Sequence, residues 1–155
     1  TKYYLDKINL IRSIRPNISI TTDLIVGFPN VTEEDFNNTL SFLRKVKFSK
    51  IHVFPYSRRK GTKADLMDNQ IDEQTKHKRV KEVLKLSEEL EIEYMNKFIN
   101  TDVLLLIEKY ENGIISGHTE NYIPVKANGV ESDINELLMI HIDKMEYPYL
   151  IGNKL

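Results

Sequence analysis

The chain has 155 residues, 41% hydrophobic and 29% charged, enough to bury a core, so it is neither disordered nor fibrous. It contains no cysteine, which excludes disulfides, thiolate zinc sites and iron–sulfur clusters ligated by this chain. No apolar run approaches the roughly 20 residues of a membrane helix, and the first 20 residues lack a signal peptide's apolar core. We therefore expect a cytoplasmic protein without membrane contact. Because residue 1 is a Thr within a helical pattern, we also expect a piece of a larger protein.

The net charge of -1 hides an asymmetry along the chain. Residues 1–99 carry 18 Lys and Arg against 14 acids, whereas residues 100–155 carry 4 against 9. The first part is therefore the better match for an anionic partner.

A helix and a buried strand are predicted at the start of the chain. Tyr4, Ile8 and Ile11 recur at helical spacing, and Pro16 ends this first helix. The apolar run from Leu24 to Val26 is typical of a strand buried on both faces.

A second helix and a second strand follow. Thr32 is a suitable N-cap, since acids fill the next three positions where the helix dipole favours them. The predicted buried face of this helix consists of Phe36, Leu40, Leu43 and Val46. The run "KIHVFPYS" predicts a strand parallel to the first, joined to it by a right-handed crossover.

A long third helix is predicted after Asp72, which can cap it. Its inner stripe is predicted to contain Val80, Leu84, Leu90, Tyr94 and Phe98. We interpret the cations along it as a solvated face: Lys76, Lys78, Arg79, Lys81 and Lys85.

From Asp102 onward, short runs with a period of two predict about five antiparallel strands. The dipeptides "NG" at 112–113 and 128–129 are typical of hairpin turns. The sequence therefore predicts an α/β region over residues 1–99 and a small, OB-like β-barrel over residues 100–155.

Polar and aromatic side chains follow both predicted parallel strands, whose carboxyl ends should lie side by side, where such sheets bind ligands. After the first strand, Gly27 would let a ligand approach the backbone, and Phe28 and Pro29 offer an apolar wall. The alternative is an ordinary tight turn.

The stretch "HVFPYSRRKGT", residues 52–62, ends the second strand with many hydrogen-bond donors. These donors suit carboxylate, ribose or phosphate oxygens, and they are Ser57, Arg58, Arg59 and Lys60. The alternative is a solvated basic loop. Neither His52 nor His118 has a second ligand at metal-binding spacing, so no metal site is predicted.

Four segments in this order resemble the carboxyl-terminal part of the radical-SAM methylthiotransferases. They are "TTDLIVGFPNVTEEDFNNTLSFL", "KIHVFPYSRRKGTKADLMDNQI", "KHKRVKEVLKLSEEL" and "ISGHTENYIPV", and they span nearly the whole chain. "HVFPYS" with "RKGT" and "GHTENYIPV" are most similar to the branch that modifies threonylcarbamoyladenosine in tRNA.

The resemblance implies the end of a radical-SAM partial barrel followed by a TRAM domain, a small β-barrel that binds substrate RNA. It implies S-adenosylmethionine as cofactor, cleaved reductively to a deoxyadenosyl radical. It also implies iron–sulfur clusters held by cysteines of amino-terminal domains that this chain does not contain. The parent enzyme would add a methylthio group to an adenosine beside the anticodon, and the present chain alone would be inactive.

The resemblance also implies roles for individual residues. Two groups would contact S-adenosylmethionine: Val26, Gly27, Phe28 and Pro29 of "VGFP", and Phe54, Tyr56 and Ser57 of "FPYS" together with Arg59. The residues implied in RNA contact are Lys60, His118, Asn121 and Tyr122, the last by stacking on a base or sugar.

The chain departs from the family's usual motifs in two places. It has "GFPNVT" where the family reads "GFPGET", so Asn30 must take the left-handed turn and Val31 replaces a carboxylate. Arg58 and Lys63 stand where prolines are usual, which makes the second loop more basic.

Other functions remain open at this point. The alternatives are a stand-alone nucleic-acid-binding adaptor, or a methylthiotransferase that acts on another tRNA adenosine or on a ribosomal protein. The net charge of -5 on residues 100–155 disfavours simple phosphate binding by the barrel, so RNA contact there would be local.

Overall fold

The computed structural model describes residues 1–155 and divides them into two compact units, Thr1–Glu91 and Ile92–Leu155. The first unit contains α1 (Lys2–Ile14), β1 (Thr21–Val26), α2 (Glu33–Val46), β2 (Lys50–Pro55) and most of α3 (Glu73–Met95). The second contains β3 (Asp102–Glu111), β4 (Ile114–Thr119), β5 (Pro124–Asn128), β6 (Leu137–Glu146) and β7 (Tyr149–Lys154). None of the helices is both long and apolar enough to cross a membrane.

The predicted strand–helix–strand unit is confirmed. β1 and β2 pair in parallel, with Thr21 opposite Lys50. The N-cap at Thr32 is also confirmed, because its Oγ1 accepts a hydrogen bond from Asp35 N (3.1 Å) while Asp35 Oδ2 accepts one from Thr32 N (3.0 Å). The predicted apolar face of α2 is buried: Phe36, Leu40, Leu43 and Val46.

Only one face of the β1–β2 sheet is covered. On the other face, Ile25 is 59% exposed and its cross-strand neighbour Phe54 is 51% exposed. The prediction of a strand buried on both faces is therefore wrong for this chain. Apolar runs are typical of strands in parallel sheets with helices on both faces, but this two-stranded sheet has helices on one face only.

The predicted cap of α3 is confirmed, since Asp72 Oδ1 accepts a hydrogen bond from Thr75 N (2.9 Å). Within the first unit, α3 buries Val83, Leu86 and Leu90. The prediction that Leu84 lies on the inner stripe is wrong, because it points to solvent. The end of α3 contributes Tyr94 and Met95 to the barrel core, and Phe98 follows them.

The second unit is a closed barrel with strand order β3-β4-β5-β7-β6, which confirms the predicted small β-barrel. All neighbours are antiparallel except β5 and β7, which are parallel. Asn112 and Gly113 make the predicted hairpin turn with positive φ at both residues. The second predicted hairpin, at Asn128, is wrong: a short 3₁₀ turn, Glu131–Asp133, follows β5, and β5 pairs with β7 instead of β6.

Two glycines allow the barrel to close. Register shifts occur after Ile107 in β3 and after Ile142 in β6, where the strands bend. A Cβ on Gly117 would lie 1.8 Å from the carbonyl oxygen of Leu106, and one on Gly152 would lie 2.1 Å from that of His141. At both positions, therefore, the neighbouring strand approaches too closely for any side chain.

A buried carboxylate ties the end of β7 to the turn before β6. Asp133 accepts hydrogen bonds from Lys154 Nζ (2.7 Å) and from the backbone N–H of Val130 (3.0 Å). The bond from Lys154, and then that from Val130, hold the pKa of Asp133 below its ordinary value. The hydrogen bonds that Asp133 accepts are therefore stronger when its carboxylate is charged.

We expect Asp133→Asn to destabilise the chain at pH 7 and to have a smaller effect at pH 3. A lowered pKa means that the carboxylate stabilises the fold above about pH 4, and that this contribution is lost as the pH falls through the folded-state pKa. Urea unfolding of the wild type and the variant at both pH values measures the difference. Equal destabilisation at pH 7 and pH 3 would contradict this assignment.

Candidate functional site

The carboxyl ends of β1 and β2 lie side by side. Val26 is opposite Pro55 in the register, and Tyr56 N donates a hydrogen bond to Val26 O (2.8 Å) just beyond the strands. The two motif segments that follow these strands therefore share one edge of the sheet, as the sequence predicts.

A cleft of about 550 Å³ opens at this edge, within the size range of small-molecule sites. It is lined by Asp23, Ile25, Phe54, Pro55, Tyr56, Ser57, Arg59, Thr62 and Ala64. Four of the residues predicted to contact the cofactor thus come together there: Phe54, Tyr56, Ser57 and Arg59. The lining combines apolar walls with one carboxylate and one guanidinium.

The three consecutive cations of the second loop have different environments. The Arg58 guanidinium is paired with Asp65: its Nε donates to Asp65 Oδ1 (2.6 Å) and its Nη2 to Asp65 O (2.8 Å). This bond holds the pKa of Asp65 below its ordinary value. The guanidinium of Arg59 has no hydrogen-bond partner and lines the cleft, whereas Lys60 is exposed outside it. Arg59 is therefore the cation available to a ligand.

The loop holds Arg59 in place through its backbone. Thr62 donates to Arg59 O from both its Oγ1 (2.9 Å) and its N–H (3.2 Å), and Gly61 has a φ of 87°. This is the tight wrap that Gly61 and Thr62 make possible. It leaves the Arg59 side chain free while its main chain is fixed.

The residues of "VGFP" flank the cleft but do not line it. Val26 is buried, and the ring of Phe28 packs edge-on against that of Tyr56 at 5.2 Å. Gly27 has a φ of 82°, and a Cβ there would meet the side chain of Lys76. Pro29 follows in the turn, and Asn30 takes the left-handed conformation that its position requires, with a φ of 66°.

Sequence reasoning missed Asp23, which lines the cleft from the exposed face of the sheet. It lies in the strand opposite His52, two residues before Ile25. The available signal was a carboxylate directly before the apolar run Leu24–Val26, on the same face of the strand as Ile25.

The interpretation of the α3 cations as a solvated face is wrong for two of them. Lys76 is only 7% exposed and Arg79 only 4%. Arg79 Nη1 donates to Val31 O (3.0 Å) and Nη2 to Glu33 Oε2 (2.9 Å), so it contacts the segment between β1 and α2. A tertiary contact of this kind leaves no trace in the helical pattern, because exposed and buried cations have the same spacing.

On the barrel, two of the predicted RNA-contacting residues come together. His118 and Tyr122 line a shallow hollow of about 240 Å³, with ring centroids 6.2 Å apart. His118 Nδ1 is 2.9 Å from Glu108 Oε2, and Tyr122 is 85% exposed. Asn121 lies in the same turn, where its N–H donates to Thr119 Oγ1, but it does not line the hollow.

The described residues include no group of three His, Asp or Glu side chains that could hold a metal. A parallel strand pair with a cofactor-sized cleft at its carboxyl edge, followed by a closed five-stranded barrel, defines the carboxyl-terminal architecture expected for a methylthiotransferase.

No family model matches the chain. It is 39% identical to the threonylcarbamoyladenosine tRNA methylthiotransferase MtaB of Bacillus subtilis, over 97% of this chain and 35% of that protein. It is 42% identical to a tRNA-2-methylthio-N(6)-dimethylallyladenosine synthase of Caldicellulosiruptor saccharolyticus, over 96% of this chain and 32% of that protein. It is 37% identical to the ribosomal protein uS12 methylthiotransferase RimO of Clostridium perfringens, over 96% of this chain and 34% of that protein.

The chain therefore belongs to the methylthiotransferase family, and the resemblance found in the sequence is confirmed. It spans about a third of the length of these relatives.

Proposed function

We propose that this chain forms the carboxyl-terminal part of a radical-SAM methylthiotransferase that modifies threonylcarbamoyladenosine beside the anticodon of tRNA. The observation that carries the proposal is the unpaired Arg59 in a cleft at the strand ends of a chain 39% identical to such an enzyme over 97% of its length. Branch-specific support comes from the motifs "HVFPYS" with "RKGT" and "GHTENYIPV".

The cleft suits S-adenosylmethionine, which supplies radical chemistry and a methyl group in this family. Ile25 and Phe54 provide apolar surface for a purine, and Arg59 and Ser57 can bind carboxylate or ribose oxygens. Tyr56 also lines the cleft, and its ring packs edge-on against that of Phe28. Since the chain has no cysteine, the iron–sulfur clusters would be ligated by residues outside it.

The barrel would bind tRNA locally through the hollow beside Tyr122. An aromatic residue as exposed as Tyr122 can stack on a base without a strong positive field. His118 in the hollow and Asn121 in the turn beside it add polar contacts. Lys60, an exposed cation of the first unit, would be a separate RNA contact. This arrangement accommodates the acidic charge of the barrel.

The substrate assignment is tested by mass spectrometry of nucleosides from cells that lack the gene. We expect loss of the 2-methylthio group from threonylcarbamoyladenosine in tRNA, restored by the wild-type gene. Loss from dimethylallyladenosine instead, or loss of methylthiolation on ribosomal protein uS12, would assign the chain to one of the other two activities named among its relatives.

The 155-residue chain alone is expected to have no methylthiotransferase activity, because it has no thiolate to hold an iron–sulfur cluster. The purified chain is incubated with reductant, S-adenosylmethionine and tRNA, and the tRNA is analysed for methylthio nucleosides. The full-length enzyme serves as the positive control. Turnover by the short chain would contradict the proposal.

We expect Arg59→Ala in the full-length enzyme to weaken S-adenosylmethionine binding by about 1–3 kcal/mol, the scale of a lost charge-assisted hydrogen bond. Isothermal titration calorimetry measures the change. Lys63→Ala is the matched control, since Lys63 is an exposed cation of the same loop that does not line the cleft. Unchanged affinity in Arg59→Ala would return Arg59 to the role of a solvated loop residue.

A further inference from the structure

Two buried cations in the first turns of α3 have no role in the proposed function so far. Lys76 and Arg79 are both almost fully buried, although they lie in a helix whose other cations are exposed. Burying a charged side chain is costly unless its polar atoms are used. Both side chains contact the segment that follows β1.

The stem of Lys76 lies where a side chain at residue 27 would be. A Cβ on Gly27 would be 2.2 Å from Lys76 Cγ and 2.7 Å from Cδ. Beyond the stem, Lys76 Nζ is 3.4 Å from Tyr56 O and forms an ion pair with Glu73. Lys76 therefore contacts the chain just after β1 and just after β2 at the same time.

Arg79 fixes the far end of the β1–α2 segment. It donates to Val31 O and to the carboxylate of Glu33, and its guanidinium lies 5.1 Å from the ring centroid of Phe36. Between the two cations, Asn69 Nδ2 donates to Asn30 Oδ1 (3.0 Å). The segment between β1 and α2 is therefore contacted at its start (Gly27), its middle (Asn30) and its end (Val31 and Glu33).

We propose that Gly27 is required to receive the stem of Lys76, and that Lys76 and Arg79 are positioning residues that hold the rim of the S-adenosylmethionine cleft. They act through Gly27, Tyr56 and Val31 rather than by touching the ligand. The inference rests on the proposed function and deepens it. The sequence explained a glycine at position 27 by the close approach of a ligand to the backbone. The structure explains it instead by the contact with the Lys76 side chain.

A double-mutant cycle in the full-length enzyme distinguishes contact with Lys76 from close approach of a ligand as the requirement for Gly27. The variants are Gly27→Ala, Lys76→Ala and the pair, with Lys78→Ala as an exposed control on the same helix. S-adenosylmethionine affinity, tRNA affinity and thermal midpoint are measured for each. The backbone strain of Ala at a φ of 82° is present in both backgrounds, so it cancels in the coupling.

We expect Gly27→Ala to weaken S-adenosylmethionine binding about tenfold in the wild-type background but less than about threefold beside Lys76→Ala. The affinity for tRNA should stay within about twofold in every variant, which a general loss of stability would not produce. Additive effects of the two substitutions would overturn the inference and favour close approach of the ligand to Gly27. If the wild-type enzyme does not bind S-adenosylmethionine, the proposed function itself fails, and the inference with it.

A second variant covers the case in which Gly27→Ala does not fold. Folding and binding restored in the pair with Lys76→Ala would support the contact. If the double variant also fails to fold, the affinities of Lys76→Met for S-adenosylmethionine and tRNA are measured instead. This variant keeps an apolar stem and removes the donor to Tyr56 O. A weaker affinity for S-adenosylmethionine with unchanged tRNA affinity supports the inference, and unchanged affinity for both overturns it.

Discussion

Replacing Leu105 with Ala should lower the free energy of unfolding of the barrel by about 3 kcal/mol. Leu105 has no exposed surface, and its strand β3 pairs with both β4 and β6. The substitution removes buried methyl groups and leaves a cavity. The cavity cannot collapse, because hydrogen bonds to β4 and β6 fix the position of β3 on both sides. Urea unfolding of the 155-residue chain, monitored by amide hydrogen exchange of residues 102–154, measures the loss.

The neighbouring residue provides a matched control for this prediction. Leu104 is 42% exposed on the outer surface of the same strand, so Leu104→Ala should cost less than about 1 kcal/mol. Equal losses in the two variants would mean that the inward and outward faces of β3 are assigned wrongly.

We expect Gly117→Ala to destabilise the barrel by about 3 kcal/mol, at the upper end of the cost of overpacking. The added Cβ would lie 1.8 Å from the carbonyl oxygen of Leu106, a backbone atom that can move only if β3 and β4 separate. The same unfolding experiment measures the change, and hydrogen exchange should increase first along these two strands.

Ser116→Ala is the control for Gly117→Ala, because Ser116 is the adjacent, partly exposed residue of β4. It should change stability by about 0.5 kcal/mol or less. A Gly117→Ala variant as stable as the control would contradict the close approach of β3 and β4 at this point.

Local patterns predicted most of the elements of this fold. The acids after Thr32 identify the start of α2, and the period-two runs after Asp102 identify the barrel strands, because both signals depend on residues near one another in the chain. The turn at Asn112 and Gly113 belongs to the same group, since positive φ at two adjacent residues is a local requirement.

Several features that depend on distant residues were not predicted. The second "NG" dipeptide, at Asn128, carries the same local signal as the first, but β5 continues into a crossover because its partner is β7. The exposure of Leu84 has a similar cause: the charged helix offers two apolar stripes, and packing selects the one with Val83 and Leu86.

The candidate site shows the same division. The sequence identified the edge of the sheet and the residues Tyr56, Ser57 and Arg59, since strand ends in parallel sheets are where ligands bind. The resemblance selected Arg59, but residue type alone could not distinguish it from Arg58, because the partner of Arg58 is a carboxylate seven residues away in the folded loop. The burial of Lys76 was equally invisible, since it depends on Gly27, 49 positions earlier in the chain.

Photoaffinity labelling tests most directly whether the cleft at the ends of β1 and β2 holds S-adenosylmethionine. The full-length enzyme is irradiated with a photoreactive azidoadenine analogue of the cofactor, and the labelled peptide is identified by mass spectrometry. We expect the label within residues 54–59, competed away by unmodified S-adenosylmethionine and reduced in Arg59→Ala. Specific labelling that falls outside the cleft, and is unaffected by Arg59→Ala, would contradict binding of S-adenosylmethionine in this cleft.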